Sequence, residues 1–212
     1  MAGITHKAKL VMKERGKPFG FEGQSQFDDS ILSPLSEDGG VIFPYTPTIM
    51  MAHSANYGTY DVAGSIYQQN YYMNTPNPSI SITALFSSNS AEEARYTTAA
   101  LHFFKTCMKS DFGALAGATA GTPPPILKFS CFGHVHALNV PCIIRSFNYT
   151  LPEDTDYMEI TVSGEKIAVP SMLLTALECV PQLPPQAVRE KFNIKTFATG
   201  SLLNGGNSNG FI

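Results

Sequence analysis

Residues 88–109, SNSAEEARYTTAALHFFKTCMK, form the most helix-like stretch of the chain, and almost everything around it reads as strand and turn. A single helix in such a setting has to lay its apolar face on a sheet, because alone it has nothing to bury that face against. Ser90 is placed to cap the helix, and Glu93 three residues on completes a capping box. Ala94, Thr97, Leu101, Phe104 and Met108 recur at helical spacing, and Ala100, Phe103 and Cys107 widen the stripe. Lys105 and Lys109 lie near the C-terminal end, where positive charge suits the helix dipole. The pattern predicts a mainly β (α+β) chain with one packed helix over about 91–109.

Strand alternation is clearest just before the helix. In SISITALF, Ile80, Ile82 and Ala84 fall on one face and Ser79, Ser81 and Thr83 on the other. Further strands are expected at 126–132, 139–149, 157–163 and 171–180, with SGEK at 163–166 as a turn. VIFPYTPTI at 41–49 has the composition of a strand but is broken by Pro44 and Pro47, which fits a sheet edge or an arm over a neighbour. Tyr57, Tyr60, Tyr67, Tyr71 and Tyr72 crowd the next segment, and an amphipathic sheet face flanking a core is preferred for them over a contact surface. Residues 1–40 read as an extended N-terminal arm, 41–181 as the β domain and 182–212 as a C-terminal tail.

Charge separates the arm from the body. Lys7, Lys9, Lys13, Arg15 and Lys17 against Glu14 give residues 1–17 a charge of +4, which leaves −7 on the rest of a chain whose total is −3. A basic terminus ahead of an acidic body reads as an arm able to dock on an acidic neighbour or as a solvated end. Beyond it there is no basic stripe, RNA-binding signature or zinc-finger spacing to support nucleic-acid binding. Only 15% of residues are charged, and Ser, Thr, Asn, Gln and Gly stand in their place, as suits a surface covered by neighbours or a polar β-protein that stays monomeric. The N-terminus shows no apolar run of the signal-peptide kind, and no stretch approaches a membrane span. Cys107, Cys131, Cys142 and Cys179 are read as reduced core residues.

Candidate chemistry is sparse. Cys131, His134 and His136 are close enough to suggest a metal, but a site needs three or four ligands with an oriented shell, and solvated turn histidines are the better reading. Glu153, Asp154, Asp156 and Glu159 gather after Pro152 without calcium-loop spacing and read as a solvated acidic turn. His102 and Cys107 do not quite share a helix face, and Cys107 belongs to the apolar stripe. No nucleophile elbow, P-loop or dinucleotide fingerprint is present, so no catalytic residue, cofactor or metal is expected.

The order of the pieces carries a resemblance. The hydroxyl-lined strand leads into SNSAEEARYTTAALHFFKTCMKSDFG, then GTPPPILKFS, NVPCIIRSFNYTLPEDTDY and VPSMLLTALECVPQ, with a Gly-rich tail ending in GFI. The helix start Glu92, Glu93 and Ala94, the pair Phe103 and Phe104, and Pro123 to Pro125 are among the matching features. Over about residues 41–181 this resembles the baseplate tube-initiator and tail-tube-like proteins of contractile-tailed bacteriophages. The resemblance implies an antiparallel β-sandwich or barrel of tail-tube type, assembled as a homo-oligomeric ring, hexameric in tail-tube relatives. It implies a non-enzymatic virion protein, assembled in the host cytoplasm and contacting baseplate hub and tail-tube proteins, with DNA only passing through the lumen and no membrane. The main tail-tube subunit is the nearest alternative, and a small ligand-binding or hydrolytic baseplate module using the carboxylates of 153–159 a further one. Interface residues are then expected at Lys7, Lys9 and Lys13 in the N-terminal arm, Phe43 and Tyr45 in the proline-broken segment, Tyr57 and Tyr60, and Phe211 and Ile212. A conduit must not hold its cargo, so Ser79, Ser81 and Thr83 are the expected lumen face.

Overall fold

The computed structural model describes residues 7–12, 31–61, 63–110, 121, 123–133, 136–202 and 211–212. Alternation decides its largest element. Seven strands pair antiparallel in the order β2 (Gly40–Ile42), β1 (Lys9–Met12), β7 (Leu127–Cys131), β8 (Ala137–Thr150), β11 (Met172–Pro181), β6 (Ser79–Ser87) and β3 (Thr48–Ala52). Ile80, Ile82, Ala84 and Phe86 of β6 point into the core, level with Cys179, Leu177, Thr175 and Leu173 of β11. Thr175 is the polar member of these rows and donates its hydroxyl to the Ala84 carbonyl at 3.1 Å, which removes the cost of burying it. On β8 the inward parity changes midway. Ser146 pairs with Glu178 and Ile144 with Cys179, so Arg145 is an extra residue in the ladder. That bulge turns Phe147 and Tyr149 to the same face as Cys142 and Ile144.

The sheet is curled. Its two edge strands, β2 and β3, are joined by residues 43–47 alone. Six Cα-to-Cα steps from Ile42 to Thr48 reach about 22 Å at most, whereas the edges of a flat seven-stranded sheet lie about 29 Å apart. The connection therefore closes only if the edges approach one another. Phe43, just past β2, meets Phe86 of β6 with ring centroids 6.2 Å apart, and the Tyr45 hydroxyl lies 3.0 Å from Ser87 Oγ.

Helix α1 (Ala91–Thr106) fills the curl. Ser90 Oγ accepts from the Glu93 N–H at 3.2 Å, and the Glu93 carboxylate reaches back to the Asn89 N–H at 2.9 Å, so the capping box forms with its return bond one residue further out. The buried face is Ala94, Thr97, Ala99, Ala100, Phe103 and Phe104, with Leu101 and Met108 only partly covered. Phe104 packs on Phe147 and Phe43 at centroid distances of 5.2 and 6.4 Å. Over the first turn of the helix, Ala94 meets Ile160 and Val169 of the hairpin formed by β9 (Tyr157–Val162) and β10 (Glu165–Pro170). The turn of that hairpin is Ser163-Gly164, with φ of 50° and 84°, the left-handed pair that suits a two-residue connection. The helix thus covers the sheet, and the hairpin covers the start of the helix.

Both terminal expectations need correction. Ala8, Leu10 and Met12 are buried and Lys9–Met12 lies between β2 and β7, so this part of residues 1–40 is sheet and not an arm. The alternation of apolar residues at 8, 10 and 12 is what commits it. A Cβ at Gly40 would overlap the Leu10 carbonyl and the Val11 Cα, so β2 lies against β1 only with glycine there. Residues 182–212 include α2 (Pro185–Lys191) and α3 (Ile194–Ala198), and Phe211 folds back, buried, with its ring 5.4 Å from that of Phe192. The basic residues from Lys13 to Lys17 and most of the Gly-rich tail lie outside the described residues.

Candidate assembly surface

The tyrosine-rich segment builds a hairpin with no core behind it among the described residues. The chain segments that pair as β3 and β6 pair again, past a break at 53–55 and 75–78, as β4 (Asn56–Tyr60) and β5 (Gln69–Asn74). Every residue of these strands is exposed except Gly58, which is half-covered by the ring of Tyr71. Tyr57 and Tyr72 meet edge-to-face at 5.9 Å, and Ile66 at the tip is 91% exposed. Asp61 is the lone charge from Ser54 to Ser79. The expected amphipathic sheet face is therefore overturned: neither face of the ribbon is buried. An isolated two-stranded hairpin is marginal in water.

Ser79, Ser81 and Thr83 lie on the face of β6 turned away from the core, as their alternation predicts. Their cross-strand neighbours are less uniform. Ser81 sits between Met50 and Glu178, Thr83 between Thr48 and Ala176, and Leu85 beside Leu174. Met50, Leu174 and Met172 are each more than half exposed, so the outer face combines hydroxyls with an apolar patch. The two sheet edges also differ. Ile42 of β2 has its N–H and its C=O both bound by the Tyr96 hydroxyl, at 2.9 and 2.7 Å, so α1 closes that edge. β3 has no strand on its outer side among the described residues.

The other expected interface residues divide. Tyr57, Tyr60 and Tyr45 are exposed, and so are Lys7 and Lys9, while Lys13 lies outside the described residues. Phe43 is corrected: it is 1% exposed and wedged between Phe86 and Phe104, because the connection that carries it has to cross the curl. Phe211 is corrected too, since it is buried against its own chain, whereas Ile212 packs only partly onto the core.

The reactive side chains are dispersed or buried. All four cysteines are buried and free. Burial pushes the Cys107 thiol far up and that of Cys131 to about 11, while the neighbouring Cys179 and burial together raise Cys142. Cys131 points into the core whereas His136 is exposed against the edge of the Phe132 ring, and His134 lies outside the described residues. Among the described residues no three His, Cys, Asp or Glu side chains gather as a metal site. His102 is exposed and Cys107 buried, so they do not meet. Glu153, Asp154 and Asp156 are exposed on the turn after β8, and Glu159 faces Lys166 across 3.9 Å of open surface. No protein-family model matches the chain, and a search of curated proteins finds no match either.

Proposed function

We propose that the chain is a structural, non-enzymatic subunit that assembles with its own copies into a ring in the tail baseplate of a contractile-tailed bacteriophage. There the ring joins the central hub to the tail tube and templates tube polymerisation. The observation that carries the assembly reading is the β4–β5 hairpin, tyrosine-rich, nearly charge-free and exposed on both faces. Covering roughly 100 Å² of each tyrosine contributes about 2.5 kcal/mol per side chain before the entropic cost of association. The edge of β3, which has no strand beside it among the described residues, and the apolar patch around Leu174 give a neighbour further surface to complete. The place in the virion rests on the sequence resemblance, with Ser79, Ser81 and Thr83 as candidate lumen residues.

Disrupting the coding sequence in the source phage tests this. Hubs that accumulate without tubes support the reading, and particles with intact, tube-bearing tails contradict it.

A further inference from the structure

Lys7 and Lys9 flank a cleft of about 280 Å³ on the outer face of β2, β1 and β7. Lys9 sits in register between Ile42 and Ser130, and Phe132 and Leu138 complete an apolar floor. The Ser130 hydroxyl is held by Asn139, accepting from its N–H at 2.9 Å, and the left-handed Asn139 (φ 52°) stands where the β7–β8 ladder slips register. Both lysines are exposed, and neither forms an ion pair among the described residues. The cleft is thus apolar below and cationic at its rim.

A feature of opposite charge lies at the far end of the same strand. β8 begins at Ala137 beside the cleft and ends at Thr150, where the turn 151–156 follows. This turn presents Glu153, Asp154 and Asp156 next to Leu151, which is 57% exposed. It is held in shape by the Tyr157 hydroxyl donating to the Pro152 carbonyl at 2.7 Å and by the Ser171 N–H donating to the Asp156 carbonyl at 2.8 Å. The fourteen residues of β8 put about 40 Å between turn and cleft. One chain cannot bring them together.

We infer that the acidic turn 151–156 of one copy docks in the Lys7/Lys9 cleft of the next, Leu151 on the apolar floor and the carboxylates against the two ammonium groups. The contact joins two different patches of the same chain, so it is head-to-tail, the kind that propagates into a closed ring or a filament. It rests on the self-assembly reading above and adds a second subunit contact to that of the β4–β5 hairpin. Being charged at the rim, it weakens as salt rises.

Zero-length carbodiimide coupling of an equal mixture of unlabelled and heavy-isotope full-length chain, at high concentration and in purified particles, tests it. The expected result is mixed-isotope links from Lys7 or Lys9 to Glu153, Asp154 or Asp156. In sedimentation, K7E/K9E and E153K/D154K/D156K each weaken self-association about tenfold or more, and the chain carrying both sets regains it. All five side chains are exposed, so the variants keep the fold. Mixed links elsewhere with association unchanged by either reversal overturn this contact and leave the ring reading standing. No intermolecular links under either condition overturns both.

Discussion

Tyr96 shows how much one hydroxyl can do at a sheet edge. It closes both free backbone groups of Ile42, 54 residues away in sequence, and burial raises its own pKa to about 12. Tyr96→Phe leaves the Ile42 N–H and C=O unmatched and should cost about 1–3 kcal/mol in denaturant unfolding. The pH dependence has a definite sign. A tyrosine that titrates near 10 unfolded and near 12 folded contributes its full stability below pH about 10 and loses it as pH rises to about 12. Tyr96→Phe should lack that loss. Gly40→Ala sets a Cβ against the backbone of β1, which cannot swing aside, and should cost about 1–3 kcal/mol by the same measurement. The buried thiols should resist alkylation in the native chain and react on unfolding, as a thiol-reactive dye would read. Neither Tyr96 nor Gly40 stands out in the sequence, because each is defined by a partner far along the chain. Cys107 does, because its partners lie on its own helix stripe.

Elements were legible where the chain buries them itself. The cap at Ser90, the stripe of α1 and the alternation of β6 each record a face that meets the core, and the structure places them close to the expected bounds. Ser90→Ala should accordingly lower stability by about 1 kcal/mol, seen as a lower melting temperature. β1 was missed although 8, 10 and 12 alternate, because four residues are too short a signal beside a run of lysines. The β4–β5 ribbon was misread for the opposite reason: periodicity reports burial within a chain, and this ribbon has none. Tyr57→Ser combined with Tyr72→Ser should leave unfolding of the body within about 0.5 kcal/mol and abolish self-association in sedimentation.

At the scale of the molecule, a curled sheet has one edge closed by its helix and another that, among the described residues, has no strand beside it, and the ribbon that extends from it is exposed on both faces. Fold class could be read from alternation and one capped helix, because those patterns are local. The curl could not, since it follows from which strands are edges, a fact of topology. The acidic turn was visible in sequence as a charge cluster, but the cleft that complements it is assembled from β1, β2 and β7 and has no linear signature. The proposed ring in a tail baseplate is open to lysine cross-linking with mass spectrometry on particles purified from the source. The expected result is this chain linked to its own copies and to both a hub and a tube protein. Its absence from the particles, or its presence without self-links, would rule the ring out.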